Sequence, residues 1–220
     1  MFRIVTLERE YASGGGGIAA ELARRLGWKL WDQQLTCEIA KRAQVTESAV
    51  AQCDERVDSR LYRLAKAFWR GSYERSLPLD DSHVFDTDRM MAMMEEIMLG
   101  IAAEGDAVIV GRGSPFFLRE REDTFRVFTY APRDEKIRRL LAMGKGRREC
   151  EDLVENVDKE RIAYIKHYFN AEWPVCALYH MMINTAIGDE NVIAAILHGM
   201  QTLAANPADL GSAPSRIRRR

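Results

Sequence analysis

The sequence predicts an α/β fold, a mainly parallel β-sheet core flanked by helices, and three observations carry that expectation. Short apolar runs alternate with helically spaced stretches along the chain, the rhythm of βα units. One run, Ala107-Val108-Ile109-Val110, is apolar throughout, as a strand buried on both faces must be. Residues 8–18, Glu-Arg-Glu-Tyr-Ala-Ser-Gly-Gly-Gly-Gly-Ile, stand between a strand and a helix. Ligands of such sheets bind beyond the carboxyl ends of the strands, where this stretch falls.

The elements follow in order. Residues 2–7 read as a buried strand, and 18–26 have helical apolar spacing with Gly27 placed as a C-cap. Residues 28–31 form a short second strand ending at Asp32. Helical stretches are expected at 35–43, 46–57 and 59–69, the second opened by Thr46 as N-cap. Residues 71–88, with Pro78 and several acids, read as a loop. The helix over 87–103 carries Met90, Met91, Met93, Met94 and Met98, which suit packing against a sheet better than a partner surface. After the strand at 107–110 come a short helix at 116–121, a strand at 125–130 and an arginine-rich helix at 133–143 opened by Pro132. Residues 144–148 break the pattern. A long polar helix at 150–169, a last apolar run at 181–183 and an amphipathic helix at 190–204 complete it.

Composition narrows the partners. The 220 residues, 47% hydrophobic and 30% charged, suffice for one domain with its own core. With 32 basic and 33 acidic residues the formal charge is −1, so neither nucleic acid nor anionic lipid is expected as a partner. Cys37, Cys53, Cys150 and Cys176 are scattered, and His83, His167, His180 and His198 form no ligand spacing. No metal held by protein nitrogen or sulfur is expected, and a reducing, cytoplasmic setting is. Met1 leads straight into a strand and no apolar run approaches a membrane span, so no leader or anchor is expected. Residues 206–220, ending Arg-Ile-Arg-Arg-Arg, read as a disordered basic tail. Oligomeric state is open.

Four successive glycines, Gly14 to Gly17, are costly inside a helix or strand. Their use is a loop that approaches a ligand or adopts positive φ. At a helix start that ligand is an anion, held by unpaired amides and the positive end of the dipole; a flexible turn is the plainer alternative. A dinucleotide fingerprint matches as Gly14, Gly16 and Ala19 with Asp32 as the ribose-binding acid, which would make the chain an oxidoreductase. Residues 8–13, however, separate strand from glycines more widely than that tight turn does. A mononucleotide P-loop suits the length, but its Gly-Lys-Ser or Gly-Lys-Thr is missing, with no lysine between Arg3 and Lys29.

Taken together, Arg9-Glu10-Tyr11-Ala12-Ser13-Gly14-Gly15, Trp31-Asp32, Val110-Gly111-Arg112, Ala131-Pro132-Arg133 through Arg139, Asp158-Lys159-Glu160-Arg161 and Ile183-Asn184-Thr185 resemble the cytidylate-kinase-like branch of the P-loop nucleoside monophosphate kinases. The resemblance spans most of residues 1–205, read as one P-loop kinase-like domain with a helical acceptor-binding insertion at about 33–89 and a lid at about 132–170. It implies phosphoryl transfer from ATP, with Mg2+, to a nucleoside monophosphate, CMP in the family. Ser13, Gly14, Gly15, Gly16 and Gly17 would hold the donor phosphates through their amides. Arg112 and Asp32 would serve the acceptor, with Asp32 also able to orient a magnesium-bound water. Arg133, Arg139 or Arg161 would close over the moving group, the planar guanidinium binding two phosphate oxygens at once.

The departures are as informative. Gly15 stands where cytidylate kinases have the P-loop lysine, Gly16-Gly17 where related chains carry Arg-Glu, and Gly113 where the arginine is otherwise followed by aspartate. Losing a preorganised charge costs about 10²–10³ in rate. Either Arg9 or a lid arginine substitutes for the lysine, or the chain is a nucleotide-binding or regulatory protein with a degenerate loop.

Overall fold

The computed structural model describes residues 1–32, Leu35, Glu38 and 87–205. The helices expected at 35–43 (apart from Leu35 and Glu38), 46–57 and 59–69, the loop expected through residue 86 and the basic tail at 206–220 lie outside the described residues. So do Cys37, Cys53 and His83. The described elements run β1 (Ile4–Arg9), α1 (Gly15–Leu26), β2 (Lys29–Trp31), α2 (Thr87–Glu104), β3 (Ala107–Val110), α3 (Ser114–Phe117), β4 (Thr124–Tyr130), α4 (Arg133–Ala142), α5 (Arg147–Phe169), β5 (Met181–Asn184) and α6 (Asp189–Ala205).

The five strands pair in the order β2-β3-β1-β4-β5, every pair parallel. Parallel strands align all their carboxyl ends on one edge, so Arg9, Asp32, Gly111, Ala131 and Thr185 are gathered there although sequence scatters them. β3 lies between β1 and β2. In the dinucleotide fold the second strand lies directly beside the first, so the sheet order removes the oxidoreductase reading.

Side chains alternate across the pleat, which gives each face its own core. Ile4, Ile109 and Phe128 pack with Met94, Met98, Phe116 and Phe169 from the helices on one face. Val5, Leu7, Val108, Val110, Phe125 and Val127 pack with Ile18, Leu22, Ile193 and Ile196 of α1 and α6 on the other. Met94 and Met98 are thus core residues, as the helical spacing suggested.

Several boundaries differ from expectation; α5, for one, starts at Arg147 and takes in Arg147 and Arg148, where a break was expected. β1 continues through Glu8 and Arg9, both buried, where the charged residues read as loop. α1 begins at Gly15, taking three of the four glycines into its first turn rather than leaving them in a loop. First-turn amides have no intrahelical partner to lose, so glycine there costs less than in an interior. α3 occupies Ser114–Phe117 rather than 116–121, started by Pro115 and by Gly113 in the left-handed region.

Candidate functional site

The loop between β1 and α1 is tied down on its inner side. The Ser13 hydroxyl donates to the Glu10 carbonyl at 2.9 Å, and the Thr185 hydroxyl donates to the Ser13 carbonyl at 2.6 Å. The Ser13 amide is also engaged with the Glu10 carbonyl at 3.3 Å. Ser13 is fully buried and serves the loop's own shape. Gly14 caps α1 with φ 82°, and no side chain caps the helix. The amides of Gly15, Gly16 and Gly17 form its bare N-terminal turn. A Cβ on Gly16 or Gly17 would meet no atom within 4 Å, so open space stands before that turn. Gly15 is different: its Cβ would lie 2.6 Å from Thr129 Oγ1 and 2.9 Å from Arg9 Cβ.

After β3 the chain makes a turn of three left-handed residues, Gly111 at φ 67°, Arg112 at 59° and Gly113 at 69°. Glycine adopts this region freely, whereas arginine does so at a cost of about 1–2 kcal/mol. The turn is held from three sides. Gly111 donates its amide to Leu7 O at 3.0 Å, Gly113 donates to Glu8 Oε1 at 3.1 Å, and Arg112 Nη1 donates to Asp32 O at 2.8 Å. Strain of this kind, retained by surrounding structure, marks functional turns. Its product is a buried guanidinium at the carboxyl end of the sheet.

α5 clasps the same corner. Asp158 accepts the Tyr11 amide at 2.9 Å and pairs with Arg161 at 2.7 Å, while Arg161 Nη1 donates to the Arg9 carbonyl at 2.8 Å. Lys136 of α4 pairs with Glu10 at 2.6 Å. Arg161 is therefore buried beside Arg9 rather than displayed on a lid surface. Arg139 lies against Gly14, where a Cβ would strike its guanidinium, and is held by Glu135, Asp189 and the Thr185 carbonyl. Arg133 is half exposed and pairs with Glu155 of α5 at 3.2 Å.

Arg9, Arg112 and Arg161 line one pocket together with Glu8, Tyr164 and Trp173. Asp32 stands 3.8 Å from Arg9 and 3.7 Å from Arg112, sharing one carboxylate between two guanidinium groups. Burial, opposed by Asp32, lowers Arg9 to about 10, and Arg161 and Arg112 push the same way. It remains charged at neutral pH. Burial likewise raises the Glu8 carboxyl, although Arg161 and Arg9 pull it down. The Trp173 indole N–H is buried and directed at the Glu8 carboxylate, where it helps to hold that carboxyl down from beyond ordinary hydrogen-bond distance. Converging cations make an anion pocket.

Magnesium fits these residues poorly. No group of three His, Cys, Asp or Glu residues capable of holding a metal occurs among the described residues. Asp32 is flanked by two arginines, and the Ser13 hydroxyl is turned inward. Mg2+ often arrives held mainly by substrate phosphates and water.

The sequence profile of the cytidylate kinase-like family matches residues 4–187. The chain belongs to that family. No curated protein matches it. Among solved structures, an uncharacterized protein from Eubacterium ventriosum ATCC 27560 superposes with a TM-score of 0.65 at 17% identity, covering 92% of this chain and 99% of that one. A gluconokinase from Sinorhizobium meliloti 1021 gives 0.52 at 15% identity over 93% and 94% of the two chains. A shikimate kinase from Acinetobacter baumannii, in complex with shikimate, gives 0.50 at 14% identity over 92% and 94%. The fold of this family member is the P-loop kinase fold.

Of the residues singled out in the sequence, Arg112 and Arg161 share the pocket, Asp32 adjoins it, and Gly15 touches the stem of Arg9, while Gly16 and Gly17 face open space. Arg139 sits on the opposite flank of the loop and Arg133 is not among the lining residues. Sequence reading did not assign a site role to Glu8, Lys136, Asp158, Tyr164 or Trp173. Asp158 carried a signal, a carboxylate within a matched motif, and Glu8 stood at the head of the glycine-rich stretch, but the backbone amides they accept lie more than a hundred residues away.

Proposed function

We propose that this chain transfers the γ-phosphoryl group of ATP to a small anionic acceptor, a nucleoside monophosphate, with CMP the expected one from its family. The observation that carries the reading is the bare N-terminal turn of α1 beside a buried cluster of Arg9, Arg112 and Arg161. The turn's amides and dipole suit the donor phosphates. Arg112, aimed by its strained turn, suits the acceptor's phosphate through the guanidinium fork. Such transfer asks the protein mainly for positioning and charge neutralisation. ATP and Mg2+ are the cofactors this reading requires, nucleotides its ligands, and the cytoplasm its setting. No described helix is long and apolar enough to cross a membrane.

A second reading has its own support, the missing lysine at Gly15 and the lack of room for one. Here the chain binds nucleotide and turns it over slowly or not at all. ADP release, measured with ATP, Mg2+ and a panel of CMP, UMP, AMP, GMP and hydroxyl acceptors such as shikimate and gluconate, separates the two. Release dependent on one monophosphate supports transfer; ATP binding without acceptor-dependent release supports the second reading. Preference for a hydroxyl acceptor contradicts the acceptor class proposed.

A further inference from the structure

Resting on the phosphotransferase reading, we propose that Asp189 is a positioning residue for the donor: it grips one edge of the Arg139 guanidinium and so turns the other edge onto the donor loop. Arg139 Nε donates to Glu135 Oε1 at 3.0 Å, and Nη2 donates to Asp189 Oδ1 at 2.9 Å and to the Thr185 carbonyl at 3.3 Å. The guanidinium is planar and rigid, so fixing Nε and Nη2 also fixes the direction of Nη1. Nη1 makes no hydrogen bond among the described residues, and it is the arm that a Cβ on Gly14 would strike. Gly14 is the residue before the first-turn amides of α1 that suit the donor phosphates.

The end of β5 builds the place from which Asp189 acts. Asn184 accepts the Ala186 amide through its side-chain oxygen at 3.0 Å and starts a single tight turn over Thr185–Ile187. Gly188, at φ 95°, then sends the chain into α6, whose first residue is Asp189. Thr185 is fully buried and ties this turn to the donor loop. Its hydroxyl donates to the Ser13 carbonyl at 2.6 Å, and its own carbonyl receives both the Gly188 amide at 3.1 Å and Arg139. One turn thereby fixes the loop, Asp189 and Arg139 relative to one another.

Glu135 cannot do the same work. It lies one helical turn before Arg139 and also receives Arg138 at 2.6 Å, so it holds Arg139 only to its own helix, α4. Asp189 is the carboxylate that holds it across to α6. Arg138, Arg139, Glu135 and Asp189 balance in charge, so what is asked of Arg139 is a directed hydrogen bond to a donor phosphate oxygen rather than excess charge. The acceptor is not served from here. Its pocket, with Arg112, lies at the end of β3, and β3 and β5 stand on opposite sides of β1 in the sheet.

The test is a double-mutant cycle in wild type, Asp189→Ala, Arg139→Met and the double variant, read by calorimetry with Mg2+ and β,γ-imido-ATP, and separately with CMP. Asp189→Ala is expected to weaken the ATP analogue about tenfold and to leave CMP affinity unchanged. In the Arg139→Met background the same substitution is expected to change analogue affinity less than about twofold, because Asp189 acts through Arg139. A role confined to the start of α6 would cost the same in both backgrounds. Where Arg139→Met does not fold, Arg139→Gln closes the cycle. Equal costs in the two backgrounds, unchanged or tighter analogue binding in Asp189→Ala, or a parallel loss of CMP affinity overturns the role of Asp189 alone. A wild type that does not bind β,γ-imido-ATP overturns the phosphotransferase reading and this inference with it. The cycle is read on the donor, so it decides whichever monophosphate is the acceptor.

Discussion

The Glu8 carboxylate accepts the Gly113 amide at 3.1 Å, joining the end of β1 to the turn that aims Arg112. The bond links the donor loop's strand to the acceptor arginine across 105 residues of sequence. Removing its acceptor leaves a buried N–H unsatisfied, at about 1–3 kcal/mol. Glu8→Ala is expected to lose that much stability in urea unfolding and to raise the acceptor KM more than the ATP KM.

The Glu8 carboxyl has its own pH signature. Its folded pKa is raised, so folding favours the protonated form; that contribution is present below the usual carboxylate range and is lost as pH rises through the folded value. Glu8→Gln keeps an acceptor without ionising. It is expected to fold at least as stably as wild type at pH 7 and to show less decline in stability between pH 4 and 7, measured by urea titration at each pH.

Placing a P-loop lysine at position 15 is expected to harm this chain. Gly15→Lys drives a Cβ into Thr129 Oγ1 and Arg9, overpacking worth about 1–3 kcal/mol. A lower Tm without tighter ATP binding is the expected outcome; a gain in ATP affinity at unchanged Tm would show that the space is not closed.

Ala12 adopts φ 56°, in the left-handed region. A left-handed alanine costs about 1–2 kcal/mol, partly offset by the greater freedom glycine regains on unfolding. Ala12→Gly is expected to stabilise the chain by about 0.5–1 kcal/mol, read from the denaturant midpoint.

His180 accepts the Arg126 amide through Nδ1 at 3.1 Å. Burial, with Arg126 adding to it, lowers the imidazole to about 4 from its usual 6.5. The depressed value means stability present above pH 6.5 is lost as pH falls toward 4. Thermal unfolding between pH 7 and 4 should show this loss, reduced in His180→Gln.

These features divide by how far apart their causes lie along the chain. The strands and most helices were legible because apolar runs and periodicity are local signals; Ala107 to Val110 announced a buried strand by itself. Arg112 was legible because glycines flank it. Glu8 and Arg9 read as loop because charge usually marks the outside, and nothing local shows that Arg112, Asp32 and Arg161 come from β3, β2 and α5 to hold them. The start of α1 was misplaced for another reason: the usual glycine penalty applies to a helix interior and not to a first turn. Gly15 read as a missing charge, whereas the structure makes it a steric requirement of Arg9 and Thr129.

The most direct test of the account is acceptor-dependent ADP release with ATP, Mg2+ and CMP, in wild type and in Arg112→Met. The account predicts measurable wild-type release, and in the variant an acceptor KM raised about 10²-fold with ATP affinity unchanged. Absence of release with every monophosphate, or a variant whose acceptor KM matches wild type, contradicts it.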